Sequence, residues 1–174
     1  MNRYAIATLY CLAVFVANLT AAVFIPLPLF GIVAVGTLFF GATFTLRDYA
    51  HGHGRPFVYK MIVAAALVNV VGAMLTDTPL RIVAASFLSI IIAETADTEV
   101  YHRLRERAWM VRVMGSNAVS IPLDTLLFTT VAFAGVLPWA DFVALCWGDT
   151  LTKFMIGFLV GTVRIRAKAT PAAA

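Results

Sequence analysis

Residues 79–101, "PLRIVAASFLSIIIAETADTEVY", place three carboxylates at the end of a long apolar run. The segment has the length that a helix needs to cross a bilayer, about 20 residues. In a helix, Glu94, Asp97 and Tyr101 are spaced i, i+3 and i+7 and share one face. Glu99 points away from that face, which places it in the headgroup layer with Arg103. Since acids are costly in lipid, the face of Glu94 and Asp97 is predicted to point into a protein interior.

The composition of the whole chain agrees with a membrane protein. Of the 174 residues, 61% are hydrophobic and 13% are charged, and the mean hydropathy is +0.91. A soluble domain has about 25% charged residues. Apolar stretches recur along the whole sequence, so we predict an all-α, polytopic membrane protein with a single domain, and we expect its first span to be retained rather than cleaved as a signal.

Breaks in the apolar pattern divide the chain into spans joined by short loops. Prolines 26 and 28 interrupt the pattern once, and "HGHGRP" at 51–56 interrupts it again. Short connections favour a compact bundle in which adjacent helices are antiparallel. The predicted transmembrane spans are six: 4–24, 30–47, 57–75, 80–101, 113–136 and 139–163.

Basic residues predict the orientation of these spans. Arg81 is the one loop cation on the opposite side, and Lys153 lies within a span. By the positive-inside rule both termini are predicted to be cytoplasmic, in the cytoplasmic membrane. Because topology explains these cations, we expect anionic lipid headgroups rather than nucleic acid beside them. The eleven residues on the predicted cytoplasmic side are Arg3, Arg47, Arg55, Lys60, Arg103, Arg105, Arg107, Arg112, Arg164, Arg166 and Lys168.

Further polar side chains lie well inside spans, where topology does not explain them. Asn117, Ser120, Asp124 and Phe128 share one face of span five. Asp149 and Lys153 are i, i+4 in span six, which predicts a pair on the same helix. Each charge costs about 2.5–3.5 kcal/mol at the centre of a span. These groups are therefore predicted to face the bundle interior, as are Asn18 and Asn69.

Acids outnumber the cations available inside the predicted bundle. Glu94, Asp97 and Asp124 have no equal number of buried cations to neutralise them. Such an excess needs protons, or a ligand with hydrogen-bond donors, and favours a polar binding cavity. The structural alternative is a set of interhelical hydrogen bonds with one buried ion pair.

Motifs for other chemistry are lacking in the sequence. No nucleotide-binding loop, HExxH or nucleophile–base pair is present, and Cys11 and Cys146 lie singly in apolar runs. We therefore predict that the chain is not an enzyme and uses no cofactor or metal. His51 and His53 are expected to be solvated in a loop.

Two segments resemble the queuosine precursor transporters, a family of vitamin-uptake-transporter-like membrane proteins. They are "RIVAASFLSIIIAETADTEVYHRLRERAW" at 81–109 and "SNAVSIPLDTLLFTTVAFAG" at 116–135. "VAN" with Asn18 and "FTLRD" with Arg47 match less specifically. The resemblance covers most of the chain. Its residues in the two segments and the last span are Ser86, Phe87, Glu94, Asp97, Tyr101, Arg103, Ser116, Asp124, Thr125, Phe128, Phe133, Asp149 and Lys153.

The resemblance implies import of 7-cyano- or 7-aminomethyl-7-deazaguanine. A carboxylate can accept two hydrogen bonds from the Watson–Crick edge of a deazaguanine, and the flat ring can stack on an aromatic side chain. Glu94, Asp97 or Asp124 is expected to bind that edge while Asn117 serves an acceptor, and Phe87, Tyr101 and Trp147 are candidates for stacking. The full set of candidate substrate-binding residues is Glu94, Asp97, Asn117, Asp124, Asp149, Lys153, Asn18, Arg47, Tyr101 and Phe87.

Three classes of protein stay open at this point. The first is a stand-alone carrier, in which Glu94 or Asp97 could be linked to protons. The second is the substrate-binding S-component of an energy-coupling-factor vitamin transporter, with an alanine stripe on the first span for docking. The third is a membrane enzyme or a structural subunit. A homodimer and an energy-coupling subunit are both open as partners.

Overall fold

A computed structural model describes residues 2–169 of the chain, and the side chains of residues 2–162. The predicted all-α bundle of six helices is confirmed, with a small β-hairpin in addition. The side chains of Arg164, Arg166 and Lys168, used above for orientation, lie outside the described ones. The elements are α1 (Arg3–Leu19), β1 (Phe24–Leu27), β2 (Gly31–Ala34), α2 (Val35–Ala50), a short 3₁₀ turn (His51–His53), α3 (Arg55–Leu75), α4 (Leu80–Arg103), α5 (Trp109–Phe133) and α6 (Trp139–Ala169).

The six helices close a ring in the order α1, α3, α4, α5, α6, α2. Each helix packs against two neighbours, and α6 closes the ring by packing against α2. Sequence neighbours are therefore adjacent with one exception: α1 lies between α2 and α3, which barely touch. Apolar side chains of α1, α2, α3 and α4 form one core cluster around Tyr10 and Met61. The interior of the ring is left for the polar faces.

The hairpin corrects the predicted ends of spans one and two. Residues 20–34 do not continue either helix, because Pro26 and Pro28 lack the backbone N–H that a helix interior needs. Leu29 and Gly31 have φ values of 70° and 85° and reverse the chain. The two strands then pair antiparallel, with Phe24 opposite Ala34. Helix α1 therefore ends at Leu19, before the end predicted for the first span.

Close backbone contact fixes the hairpin against α6. A Cβ on Gly148 would lie only 2.2 Å from the carbonyl oxygen of Ile32, so glycine is required there. Likewise a Cβ on Gly36 would lie 2.3 Å from the carbonyl oxygen of Ala17, at the contact of α2 with α1. The hairpin backbone consequently reaches the interior of the ring, where Ala34 is buried.

Two of the described helices are long and apolar enough to cross a membrane by themselves, Arg55–Leu75 and Trp139–Thr162. Helices α1 and α2 are shorter. Helices α4 and α5 are long enough but more polar, because each has the polar face predicted for it. Large apolar side chains such as Leu12 and Leu67 are exposed on the outside of the ring. An apolar exterior around a polar interior is the reverse of a soluble bundle and suits a lipid environment.

Candidate functional site

Charged side chains are buried along the interior of the ring. Among the described side chains these are five acids and two cations: Asp48, Glu94, Asp97, Asp124 and Asp149, with Arg47 and Lys153. The predicted excess of buried acids is therefore present. Arg47 was predicted both as a topological charge beside a loop and as a candidate binding residue, and the structure places it in the interior.

Arg47 of α2 is fully buried and joins its own helix to α4 and α5. Its Nη1 lies 2.7 Å from Oε1 of Glu94, and its Nη2 lies 2.7 Å from Oδ1 of Asp97. Nη2 also donates to Oδ1 of Asn117 at 3.1 Å. We call this group, with Tyr10 and Ser120, the arginine cluster: Tyr10, Arg47, Glu94, Asp97, Asn117 and Ser120.

Neighbouring hydroxyls complete the arginine cluster. The Tyr10 hydroxyl donates to Oε2 of Glu94 at 2.8 Å, and the Ser120 hydroxyl donates to Oδ1 of Asp97 at 2.9 Å. Glu94 and Asp97 do share one face of α4, as predicted. That face meets Arg47 rather than an open space, so the two acids form an ion network and do not line a cavity.

His51 corrects the expectation of a solvated loop. Its ring stacks on Tyr101 with 3.9 Å between centroids, and the guanidinium of Arg112 lies over the same tyrosine ring. Its Nε2 lies 3.7 Å from Oδ2 of Asp97. Burial lowers the pKa of the His51 imidazole below its ordinary value, although the contact with Asp97 acts in the opposite direction. His53 is exposed, as expected.

A separate cavity of about 40 Å³ lies nearer the hairpin. It is beyond the arginine cluster along the helices: on α5, Asp124 follows Asn117 by seven residues, about 10 Å of helix. This volume holds a few water molecules. The lining residues come from α1, α2, α4, α5, α6 and the hairpin: Ala17, Asn18, Ala21, Ala34, Gly36, Thr37, Phe40, Ser86, Ser89, Asp124, Phe128, Asp149 and Lys153.

Lys153 pairs with the neighbouring helix α5, which corrects the predicted pair with Asp149. Its Nζ lies 2.7 Å from Oδ2 of Asp124 and 3.0 Å from the hydroxyl of Thr125, both on α5. Asp149 instead accepts a hydrogen bond from the backbone N–H of Ala34 at 3.0 Å. The spacing on α6 predicted Lys153 as the partner of Asp149, but the hairpin backbone takes that place.

The aromatic groups at the cavity differ from those predicted for stacking, although Phe128 was predicted on the inward face of span five. Phe87 is 40% exposed and Trp147 is 59% exposed, both among the exposed apolar residues, and neither lines the cavity. Tyr101 lies beside His51 instead. Phe40 and Phe128 line the cavity, and Phe40 could have been found from its spacing with Arg47 on one face of α2.

The predicted binding residues therefore divide between two places. Asn18, Asp124, Asp149 and Lys153 line the cavity. Arg47, Glu94, Asp97 and Asn117 belong to the arginine cluster, Tyr101 flanks that cluster, and Phe87 is in neither. Within the described part of the chain, no group of three or more His, Cys, Asp or Glu side chains could hold a metal ion.

Comparison with known proteins shows the family to which the chain belongs. A sequence profile described as "Putative vitamin uptake transporter" matches residues 71–166, more than half of the chain. The chain belongs to this family. The matched range includes α4 and α5, and with them Glu94, Asp97 and Asp124. The predicted resemblance to vitamin-uptake-transporter-like membrane proteins is therefore confirmed.

A curated relative narrows the likeness over part of the chain. A "Probable queuosine precursor transporter" of Bacillus subtilis (strain 168) is 33% identical over 84 residues. These residues are 45% of this chain and 37% of that protein, so the match spans little more than a third of the relative's length. No solved structure matches the chain.

Proposed function

We propose that the chain is a multi-pass carrier of the cytoplasmic membrane that imports a 7-deazaguanine, such as 7-cyano- or 7-aminomethyl-7-deazaguanine, through the cavity described above. One observation carries the proposal. The cavity joins two buried carboxylates, one ammonium group and two phenyl rings, and its acids outnumber its cations. The family and the likeness to a queuosine precursor transporter support the same class of substrate.

The carboxylates suit the donor edge of a deazaguanine. That edge presents adjacent N–H groups, and a carboxylate, with two acceptor oxygens, can accept from both. Asp124 is the better candidate to accept this edge, because its present partner is the flexible side chain of Lys153, which can move aside. Asp149 is held by the backbone of Ala34, which makes it a fixed acceptor.

The remaining polar groups suit the rest of the ring system. When a ligand takes Asp124, the Lys153 ammonium can donate to a carbonyl or ring nitrogen of that ligand. Asn18 supplies an amide that can donate or accept. Phe40 and Phe128 offer flat apolar faces to a heterocycle, whose stacking on an aromatic side chain is worth about 1–3 kcal/mol.

The small volume makes movement part of the proposal. A cavity of about 40 Å³ is too small for a bicyclic ring, so its walls must part when substrate binds. With both termini cytoplasmic, the hairpin lies on the outer side and the arginine cluster on the inner side. We infer that substrate enters past the hairpin, and that the arginine cluster closes the inner end in the state described here.

A vitamin is the second candidate substrate, because the family as a whole is described by vitamin uptake. The chain would then be a substrate-binding subunit that needs an energy-coupling partner. Uptake by this chain in cells that lack an ATPase module separates the two readings. A stand-alone carrier transports under these conditions, and a substrate-binding subunit does not.

The decisive experiment is uptake of labelled deazaguanine precursors in a queuosine-auxotrophic host. The chain should restore uptake, and Asp124→Asn should reduce it about tenfold or more, since one charged hydrogen-bonding partner is lost. Asp77→Asn is the matched control: Asp77 is exposed, and asparagine tolerates its positive φ. Uptake unchanged by Asp124→Asn, or no uptake with the protein verified in the membrane, would refute the proposal.

A further inference from the structure

We propose that His51 and Asp97 form a proton-binding site, separate from the substrate cavity, and that its loading is coupled to transport. The inference goes beyond the proposed substrate, and it depends on the proposed transport role only for the second of its two tests. Its ligand is one proton.

The site consists of two buried polar atoms that face each other. Nε2 of His51 and Oδ2 of Asp97 are 3.7 Å apart, and neither has a hydrogen-bond partner within 3.5 Å among the residues that the structure describes. The two side chains are 5% and 0% exposed. Buried polar atoms are nearly always satisfied, so an unsatisfied pair calls for an explanation. When Nε2 gains a proton, a short approach gives a charge-assisted hydrogen bond that satisfies both atoms.

A proton fits this place better than a metal ion. The other carboxylate oxygens of the arginine cluster already accept from Arg47, Tyr10 and Ser120. A cation such as Ca²⁺ needs about 6–8 oxygen ligands, and here it would lie beside the positive charge of Arg47. A proton needs only the two atoms that are free.

The charges around His51 oppose one another, which makes its protonation sensitive to conformation. Arg47 and Arg112 disfavour an imidazolium, whereas Asp97 favours it. A proton on His51 would compete with Arg47 for Asp97, and would so weaken the contact between α2 and α4 at the inner end. The titratable and charged groups near His51 are Arg47 and Asp48 on α2, Glu94, Asp97 and Tyr101 on α4, and Arg112 on α5, with Tyr10 of α1 on Glu94 and Arg55 of α3 paired to Glu99.

The first test needs no substrate. The chain has three histidines, so the full-length protein in detergent gives a simple ring spectrum by NMR, assigned with His51→Gln and His53→Gln. Asp97→Asn should lower the pH midpoint of His51 by about one unit, a tenfold loss of proton affinity, and leave His53 unchanged. An unchanged His51 midpoint in a folded Asp97→Asn protein would overturn the site.

The second test uses transport and does not rely on an Asp97 variant. In proteoliposomes, a pH gradient with the acidic side outside should stimulate precursor uptake by the unaltered chain severalfold. His51→Gln should lose this stimulation while it still binds precursor, and His53→Gln should keep it. Equal stimulation of the two variants would overturn the proposal. If the unaltered chain did not bind precursor at all, the substrate proposed above would be wrong. The NMR test of the proton site would not be affected.

Discussion

Lys153 of α6 reaches Asp124 of α5, with 2.7 Å between Nζ and Oδ2, and leaves Asp149, one turn away on its own helix, to the backbone N–H of Ala34. The pair ties two helices together at the cavity wall. It also leaves one of the two acids of the wall bound only to uncharged groups, the Ala34 N–H and the Thr37 side chain.

The pairing of Lys153 can be tested by rescue. Lys153→Met removes one partner of a buried ion pair, which should cost about 3–5 kcal/mol of unfolding free energy. Adding Asp124→Asn should restore more of the loss than adding Asp149→Asn does, since Asp124 holds the direct contact. Unfolding in detergent measures both double variants. Equal rescue, or better rescue by Asp149→Asn, would contradict the pairing.

Arg47 should be indispensable for the inner end of the bundle. Arg47→Met leaves two buried carboxylates without their cation and should destabilise the chain by about 3–5 kcal/mol. Arg47→Lys should recover little, because an ammonium group cannot reach Glu94 and Asp97 in the same fork geometry. Thermal unfolding of the purified protein measures the effect. Arg55→Met, which removes a surface pair with Glu99, is the control and should change little.

Gly148 should tolerate no side chain. In Gly148→Ala the new Cβ meets the backbone oxygen of Ile32, and backbone cannot give way as a side chain does. The free energy of unfolding should fall by about 1–3 kcal/mol, the usual cost of overpacking. Uptake should fall as well, because Ala34 shifts away from Asp149. Gly52→Ala is the matched control, since nothing lies within 4 Å of a Cβ there. Similar melting temperatures for the two variants would show that the hairpin packs differently.

Phe40, and not Phe87, should contact the substrate. Phe40→Leu keeps an apolar side chain and removes the ring, so it should weaken precursor binding by about tenfold, within the range for one stacking contact. Phe87→Leu should leave binding unchanged, because Phe87 does not line the cavity and is 40% exposed. Equilibrium binding to the detergent-solubilised protein distinguishes the two. If only Phe87→Leu weakened precursor binding, the substrate site would lie at the outer face of α4 and not in the cavity.

The sequence by itself determined the class of protein and the inward faces of its helices. Apolar length and charge content define a helical membrane bundle, and helical spacing correctly put Glu94 and Asp97 on one buried face. These properties are local, because each depends on residues within a few turns of one helix. Glu99 was separated from its two neighbours for the same reason, and it does pair near the surface with Arg55.

Only the tertiary structure decided which buried groups meet. Helical spacing restricts the partners of Lys153 on its own helix, but the ring order brings Asp124 of another helix closer. The hairpin depends on a contact between Gly148 and a strand more than a hundred residues earlier, which no local pattern indicates. His51 resembles an ordinary loop residue in sequence, and Arg47, although a candidate binding residue, also fits the topological charges at the end of span two. They become interior groups because α2 and the 3₁₀ turn pack against the acidic face of α4, where burial makes each unpaired charge costly and so selects its partners.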